Sequence, residues 1–272
     1  MARGEPQADQ QPHLWDSHVS VYETVFEPFS LAFAAIGIEA LDLVPRQSVL
    51  DVGAGPGGTA LAIARAGCRV TAIDASAQMV ERMKQRAGSL GSAVDARVMD
   101  GQALAFADAT FDAALSVFGV ILFADPVQGL SEMRRVVRPG GKVAIVTWTE
   151  PQNYELASEV RAAALSVLPD VPAAPLPAQL RYREKADFAA LFRSAGFASP
   201  VIAAHTATLR APSARWLGER LAFAPGMAAQ LAGFGPRAGE IVAAFVSRLE
   251  ARQGSGEIRL SGRAFVGTAT VT

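Results

Sequence analysis

The strongest constraint on this chain is one eight-residue stretch, Asp51-Val52-Gly53-Ala54-Gly55-Pro56-Gly57-Gly58. An apolar strand (Val49, Leu50, Val52) runs into a loop with four glycines, and an alanine-rich helical segment, Thr59 to Ala66, follows at once. Glycine lacks a Cβ, so the chain can turn sharply and a ligand can lie directly on the backbone. A strand, glycine loop and helix in that order form the nucleotide cradle of an open α/β sheet. The acids at its head and downstream decide which nucleotide fits.

The rest of the chain supports such a sheet. Val19 to Leu43 has helical spacing, with Gly37 as the expected break between two helices and Pro45 as their end. Strands are expected at Ser48–Val52, Arg69–Asp74, Ala93–Val98, Phe111–Val117 and Lys142–Trp148, with helices at Thr59–Ala66, Ala77–Ala87 and after Asp125-Pro126. Arg138-Pro139-Gly140-Gly141 reads as a turn. Alternating strands and helices predict an α/β fold with a doubly wound, Rossmann-like, mostly parallel sheet. Further on, a helix is expected at Ala186–Ala195 and a strand at Val201–Arg210. A helical pair over Ser213–Ala232 and Pro236–Arg252 precedes a final strand, Glu257–Val271, with hairpin-like pairing. Residues 1–12 are expected to be disordered, and residues 151–180, rich in Pro and Ala, to make an excursion over the sheet.

Composition narrows the function. Lys and Arg number 25 against 26 for Asp and Glu, a formal net charge of −1. No basic face or basic amphipathic helix is visible, so no nucleic-acid or membrane partner is expected. Cys68 is the only cysteine, which excludes an internal disulfide and fits a reducing compartment. The first 18 residues lack the apolar core of a secretory signal. The longest apolar run, Ala113 to Ala124, is shorter than the ~20 residues that span a bilayer. A soluble, cytoplasmic protein is expected, and a homodimer is an assembly open to it.

Gly53, Gly55 and Gly58 also satisfy G-x-G-x-x-G, which alone suits a dinucleotide. Asp51 argues against one: a carboxylate at the strand end would face a pyrophosphate, anion against anion, whereas a ligand carrying an ammonium group would be welcome. Asp74, at the end of the second strand, can accept two ribose hydroxyl protons. After the third strand, Asp100 of Met99-Asp100-Gly101-Gln102 can accept from an adenine amino group.

Together these residues resemble the class I S-adenosylmethionine (SAM)-dependent methyltransferases, and most nearly the small-molecule branch with the ubiquinone/menaquinone-biosynthesis methyltransferases. The glycine loop, Ala72-Ile73-Asp74-Ala75-Ser76 with Met79, Met99-Asp100-Gly101 and Arg135 to Gly141 occur in the family's order and spacing. The resemblance implies a seven-stranded sheet and SAM as cofactor. It implies backbone contacts to the methionine moiety from Gly53, Ala54, Gly55 and Gly57, with Asp51 favouring the ammonium directly or through water. Asp74 would take the ribose hydroxyls. Ala75 and Met79 would pack on the adenine, with Asp100, Gly101 and Gln102 at its edge. Ser116, Val117 and Phe118 would border the methionine and sulfonium. The implied organisation is an N-terminal helical cap (1–45) and a methyltransferase domain (46–272) with lid insertions at 151–180 and 213–252.

Methyl transfer is a displacement in which the protein mainly holds the partners in line, so a prominent catalytic residue is not required. The candidates are His18, Tyr22 and His205, with His13 behind them. His18 and Tyr22 lie i, i+4 on one helical face, and the Tyr22 ring or hydroxyl could meet the sulfonium. No metal site is expected, because the end of the fourth strand lacks oxygen ligands. The acceptor is expected to be an apolar or aromatic small molecule methylated on O, or else on C. The rival readings are a SAM-binding protein without methyl transfer (a cyclase or regulator) and an NAD(P)-dependent oxidoreductase, although no Tyr-x-x-x-Lys pair is found.

Overall fold

The computed structural model describes residues 6–170 and 176–272. Its strands are β1 (Ser48–Val52), β2 (Arg69–Asp74), β3 (Val94–Val98), β4 (Phe111–Val117), β5 (Val137–Trp148), β6 (Val201–Ala211) and β7 (Ile258–Thr270). They form one seven-stranded sheet in the order β3-β2-β1-β4-β5-β7-β6. Strands β1 to β5 run parallel, and β7 is antiparallel to both its neighbours. The strand order reverses between β1 and β4, and in an open α/β sheet the crevice beyond the strand ends at that point takes ligands.

The helices are α1 (Pro12–Trp15), α2 (Val19–Val25), α3 (Glu27–Ala40), α4 (Gly58–Arg65), α5 (Ala77–Ser89), α6 (Pro126–Val136), α7 (Glu155–Val167), α8 (Lys185–Ser194), α9 (Ala214–Glu219), α10 (Pro225–Gly233) and α11 (Ala238–Gln253). Alternate residues of β1 show why both sheet faces are covered. Val49 packs in one core with Ile63, Met83 and Leu115. Leu50 packs in the other with Leu130, Met133 and Phe192. A strand buried on both faces has to be apolar throughout, as β1 and β4 nearly are. A third core joins α2 and α3 to α7, α9, α11 and the outer halves of β6 and β7. Local chemistry starts several helices. Ser76 accepts from the Met79 N–H at 3.2 Å, Asp125 from Gln128 at 3.0 Å and Ser213 from Trp216 at 3.1 Å.

Several sequence expectations need correction. The break between the first two long helices falls at Phe26, with a 66° bend, and not at Gly37. Pro28 lacks an N–H and suits a first turn, so it starts α3. Gly37 lies within α3, where a Cβ would meet Leu115 at 3.0 Å, so the glycine serves close packing and not a break. Arg138 to Gly141 is not a turn but the bulged start of β5, with a register shift opposite Phe111 and Ala113. The final strand makes no hairpin; it inserts between β5 and β6. The segment 213–232 is two helices, because Pro225 begins α10. Nor are residues 6–12 disordered. The Gln7 side chain accepts from Ala178 N–H at 2.7 Å, and Asp9 accepts from Gly226 N–H at 2.6 Å. The expectation for residues 1–5, and that for 171–175 within the excursion, lie outside the described residues.

No single helix among the described residues is long and apolar enough to cross a membrane. The bent pair of α2 and α3 is instead part of the core: Phe33 is fully buried, edge-on to Phe29 and Phe118. Phe33→Ala should therefore cost about 3–5 kcal/mol, seen as a lower urea midpoint with an unchanged slope. A loss below ~1 kcal/mol would show that α3 is only loosely attached.

Candidate active site

The loop after β1 turns through three glycines with positive φ, Gly53, Gly55 and Gly57. Two of them are forced by space. A Cβ on Gly53 would stand 2.9 Å from the Gly119 Cα, so the loops after β1 and β4 touch backbone to backbone. Gly57, at φ 92°, is the left-handed residue that opens α4, and a Cβ there would meet the Met83 Cγ at 2.4 Å. Beside Gly119, Phe118 also takes a positive φ of 59°. For a bulky residue that conformation is strained, and such strain gathers at ligand sites.

A narrow cleft lies over this loop. It is lined by Asp51, Gly53 to Pro56, Thr59 and Val117 of the sheet side and by Tyr22, Glu27 and Ser30 of the cap helices. Asp51 is 1% exposed. The Ala60 N–H at the start of α4 offsets part of the cost of its burial, and its Oδ2 has no hydrogen-bond partner among the described residues. Burial, and then the neighbouring Asp74 and Glu27, push its pKa up to about 8. Asp74 is braced differently. Its Oδ2 accepts from Gly55 N–H and its Oδ1 from Ser76 N–H, both at 2.9 Å. Burial still raises its pKa above the usual value.

The cap is tied to the cradle by charge. Asp16 accepts from the Ser76 hydroxyl at 2.6 Å and the Gln78 N–H at 3.2 Å. Arg82 grips Glu23 with two bonds of 2.6 and 2.9 Å. Arg86 reaches Glu27 at 2.8 Å and the Pro56 carbonyl at 2.9 Å. These ties set Tyr22 over Asp51. Burial, then Glu27, keep the Tyr22 phenol well above its ordinary pKa, with Asp74 and Asp51 adding to the effect. It is therefore a neutral donor at physiological pH and not a base.

The structure brings Tyr22, Asp51, Gly53, Ala54 and Gly55 together around the cleft, with Gly57 behind them and Asp74 bonded to the loop. Ala75 is exposed beside Asp74, whereas Met79 is 2% exposed and belongs to the core. Asp100 folds back on Gln102 N–H at 2.9 Å, and Gln102 Oε1 accepts from Asp125 N–H at 2.8 Å. A Cβ on Gly101 would strike Phe123 at 2.5 Å, so this glycine serves packing as well as any ligand edge. Ser116 needs correction as a ligand contact. It is wholly buried, donating to Val52 O at 2.7 Å and accepting from Val120 N–H at 3.0 Å, so it clamps β4 to β1. Phe118 stacks on Trp148 at 4.4 Å and is 7% exposed.

Among the catalytic candidates, His205 also needs correction. It sits on β6 opposite Ala264, three strands from β4. At ~4.8 Å per strand that is about 14 Å from the β4 end. His18 precedes α2, its Nδ1 2.7 Å from the Leu14 carbonyl oxygen. A carbonyl only accepts, so Nδ1 carries the proton and Nε2 is the free basic nitrogen. His13 is exposed on α1. Sequence reasoning missed Glu27, Ser30 and Thr59. The one available signal was Glu27, a lone acid heading the apolar run Pro28-Phe29-Ser30-Leu31-Ala32-Phe33, four residues after Glu23.

Asp51 also sets a pH dependence. Its folded pKa of about 8 stands above the ordinary 3.8, so the folded state holds an extra proton between those values. Stability from this group is thus fully present at low pH and is lost as pH rises toward 8. Asp51→Asn should raise the Tm of the ligand-free protein at pH ~8 and change it far less at pH ~5. An equal effect at both values would contradict this environment.

Comparison with known proteins agrees with this geometry. Residues 50–145 match the methyltransferase domain family. An uncharacterized protein of Mycobacterium tuberculosis is 32% identical over 152 residues, 56% of this chain and 56% of its own length. A demethylmenaquinone methyltransferase of Renibacterium salmoninarum is 33% identical over 147 residues, 53% of this chain and 60% of its own. The chain thus spans just over half the length of the curated relatives it matches. Among solved structures, the YcgJ protein of Bacillus subtilis superposes with a TM-score of 0.60 at 19% identity, covering 89% of this chain and 99% of that one. The residues that match the methyltransferase domain family, 50–145, thus include the glycine loop and the acids at the ends of β1 and β2, within a sheet of order 3-2-1-4-5-7-6.

Proposed function

We propose that this protein is an enzyme that transfers a methyl group from SAM to an oxygen, or else a carbon, of an apolar or aromatic small molecule, in quinone or specialised-metabolite biosynthesis. The observation that carries the reading is the buried, unpartnered Oδ2 of Asp51 beneath the glycine loop. A buried polar group without a partner costs about 1–3 kcal/mol. A ligand ammonium supplies the missing donor, and a pyrophosphate would bring a second anion.

The residues present fit SAM. Asp51 would hold the ammonium, and Gly53 to Gly55 would lie under the methionine chain. Asp74 would receive the ribose hydroxyls, since each of its oxygens accepts one backbone N–H and keeps a lone pair. Ala75, Asp100, Gly101 and Gln102 would border the adenine. When bound, SAM supplies a methyl group on a positively charged sulfur.

The chain's own residues then do three things. The roof of Tyr22 excludes water, and its ring and neutral hydroxyl favour the charged reactant over the uncharged product. The aromatic packing beside it holds that roof in place. Phe26 stands 5.4 Å from Tyr22 and stacks on Phe223 at 5.4 Å, and Trp148 stacks on Tyr154 at 4.5 Å. Finally, Nε2 of His18 can take a proton from an acceptor hydroxyl, a role worth ~10²–10⁴ in rate where the nucleophile must be deprotonated.

The test is binding and label transfer. Asp74→Ala should weaken SAM binding at least ~tenfold by calorimetry, because two hydrogen bonds to a buried ribose are lost. The wild type should move a labelled methyl group from SAM onto a member of a panel of phenols and hydroquinones. An unchanged dissociation constant in the variant, or NADH binding in place of SAM, would overturn the reading.

A further inference from the structure

Glu27 is the least expected residue at the site. It begins α3 from the cap side and is 6% exposed. Its Oε1 is fixed from two directions, accepting from Gly58 N–H at 2.9 Å and from the Arg86 guanidinium at 2.8 Å. No hydrogen bond engages its Oε2 among the described residues. The carboxylate lines the same cleft as Asp51, whose Oδ2 is buried and unpartnered.

The charges in this cleft do not balance. Arg86 is shared among Glu27, the Pro56 carbonyl and, at 3.7 Å, Glu23. Asp51 has no cation of its own among the described residues. Two carboxylates in a desolvated cleft repel each other unless something positive lies between them. The pairing with Arg86 and the Gly58 N–H accounts for Oε1, but not for an Oε2 left without a hydrogen bond among the described residues in the same cleft as Asp51. An ammonium does explain it: it carries three N–H donors and one positive charge, enough to satisfy both acids at once.

Building on the SAM reading, we propose that Glu27 is a second carboxylate ligand of the ammonium group of SAM, held in position by Arg86 and the Gly58 N–H. The amino-acid end of SAM would then be gripped by one acid from the sheet, Asp51, and one from the cap, Glu27. Cofactor binding would thereby reinforce the tie between α3 and the glycine loop.

The test compares S-adenosylhomocysteine with its deaminated analogue, which lacks only the amino group, by calorimetry on the full chain. In the wild type the parent should bind at least ~tenfold more tightly. In Glu27→Gln that preference should shrink several-fold, through loss of affinity for the parent while the deaminated compound holds within about twofold. A ratio reports only on folded protein, so a less stable variant still answers. Equal weakening of both compounds by Glu27→Gln, or no change, would overturn the proposal and leave Glu27 as a cap anchor. A wild type that binds neither compound would overturn the cofactor reading itself.

Discussion

A carboxylate buried beneath a glycine loop, with one oxygen unpartnered, is the constraint around which this molecule is arranged. Asp51 is held there by β1, whose Val49, Leu50 and Val52 are apolar because both sheet faces are covered. The loop above has to be glycine where it meets Gly119 and Met83. The consequence is a fixed concavity lined by acids at the point where the strand order reverses. Such a place selects its ligand by charge before any side chain makes a specific contact.

The cap gives this concavity its roof. Helices α2 and α3 are core elements on one side, through Phe26, Phe29 and Phe33, and ionic tethers on the other, through Glu23 and Glu27. Aromatic packing fixes where the cap sits, and the acids fix which face meets the loop. The partly exposed tethers are weak individually. The more buried contact of Glu27 with Arg86 and Gly58 binds the roof most closely to the cradle. The aromatic cluster from Tyr22 to Trp148 and Tyr154 continues this wall away from the cofactor region.

The sheet was legible in the sequence because its signals are local: apolar runs bounded by glycine, and caps such as Ser76 and Asp125. Asp51, Asp74 and the glycines were legible for the same reason, since they follow strand ends directly. What was hidden depends on contacts distant in sequence. Gly37 looks like a break until Leu115 is seen against it. Ser116 looks like a ligand contact until its hydroxyl is found bridging Val52 and Val120. Glu27 meets Gly58 across 31 positions, and no spacing rule brings those two together. His205 looked usable because a strand reading does not tell which place in the sheet that strand takes.

The most direct test is a crystal structure of the wild-type protein grown with S-adenosylhomocysteine and NADH together. The account predicts the thioether nucleoside in the cleft, with its amino nitrogen bonded to Asp51 and its ribose on Asp74. A pyrophosphate lying on Gly53 to Gly57, with the thioether nucleoside excluded, would contradict it.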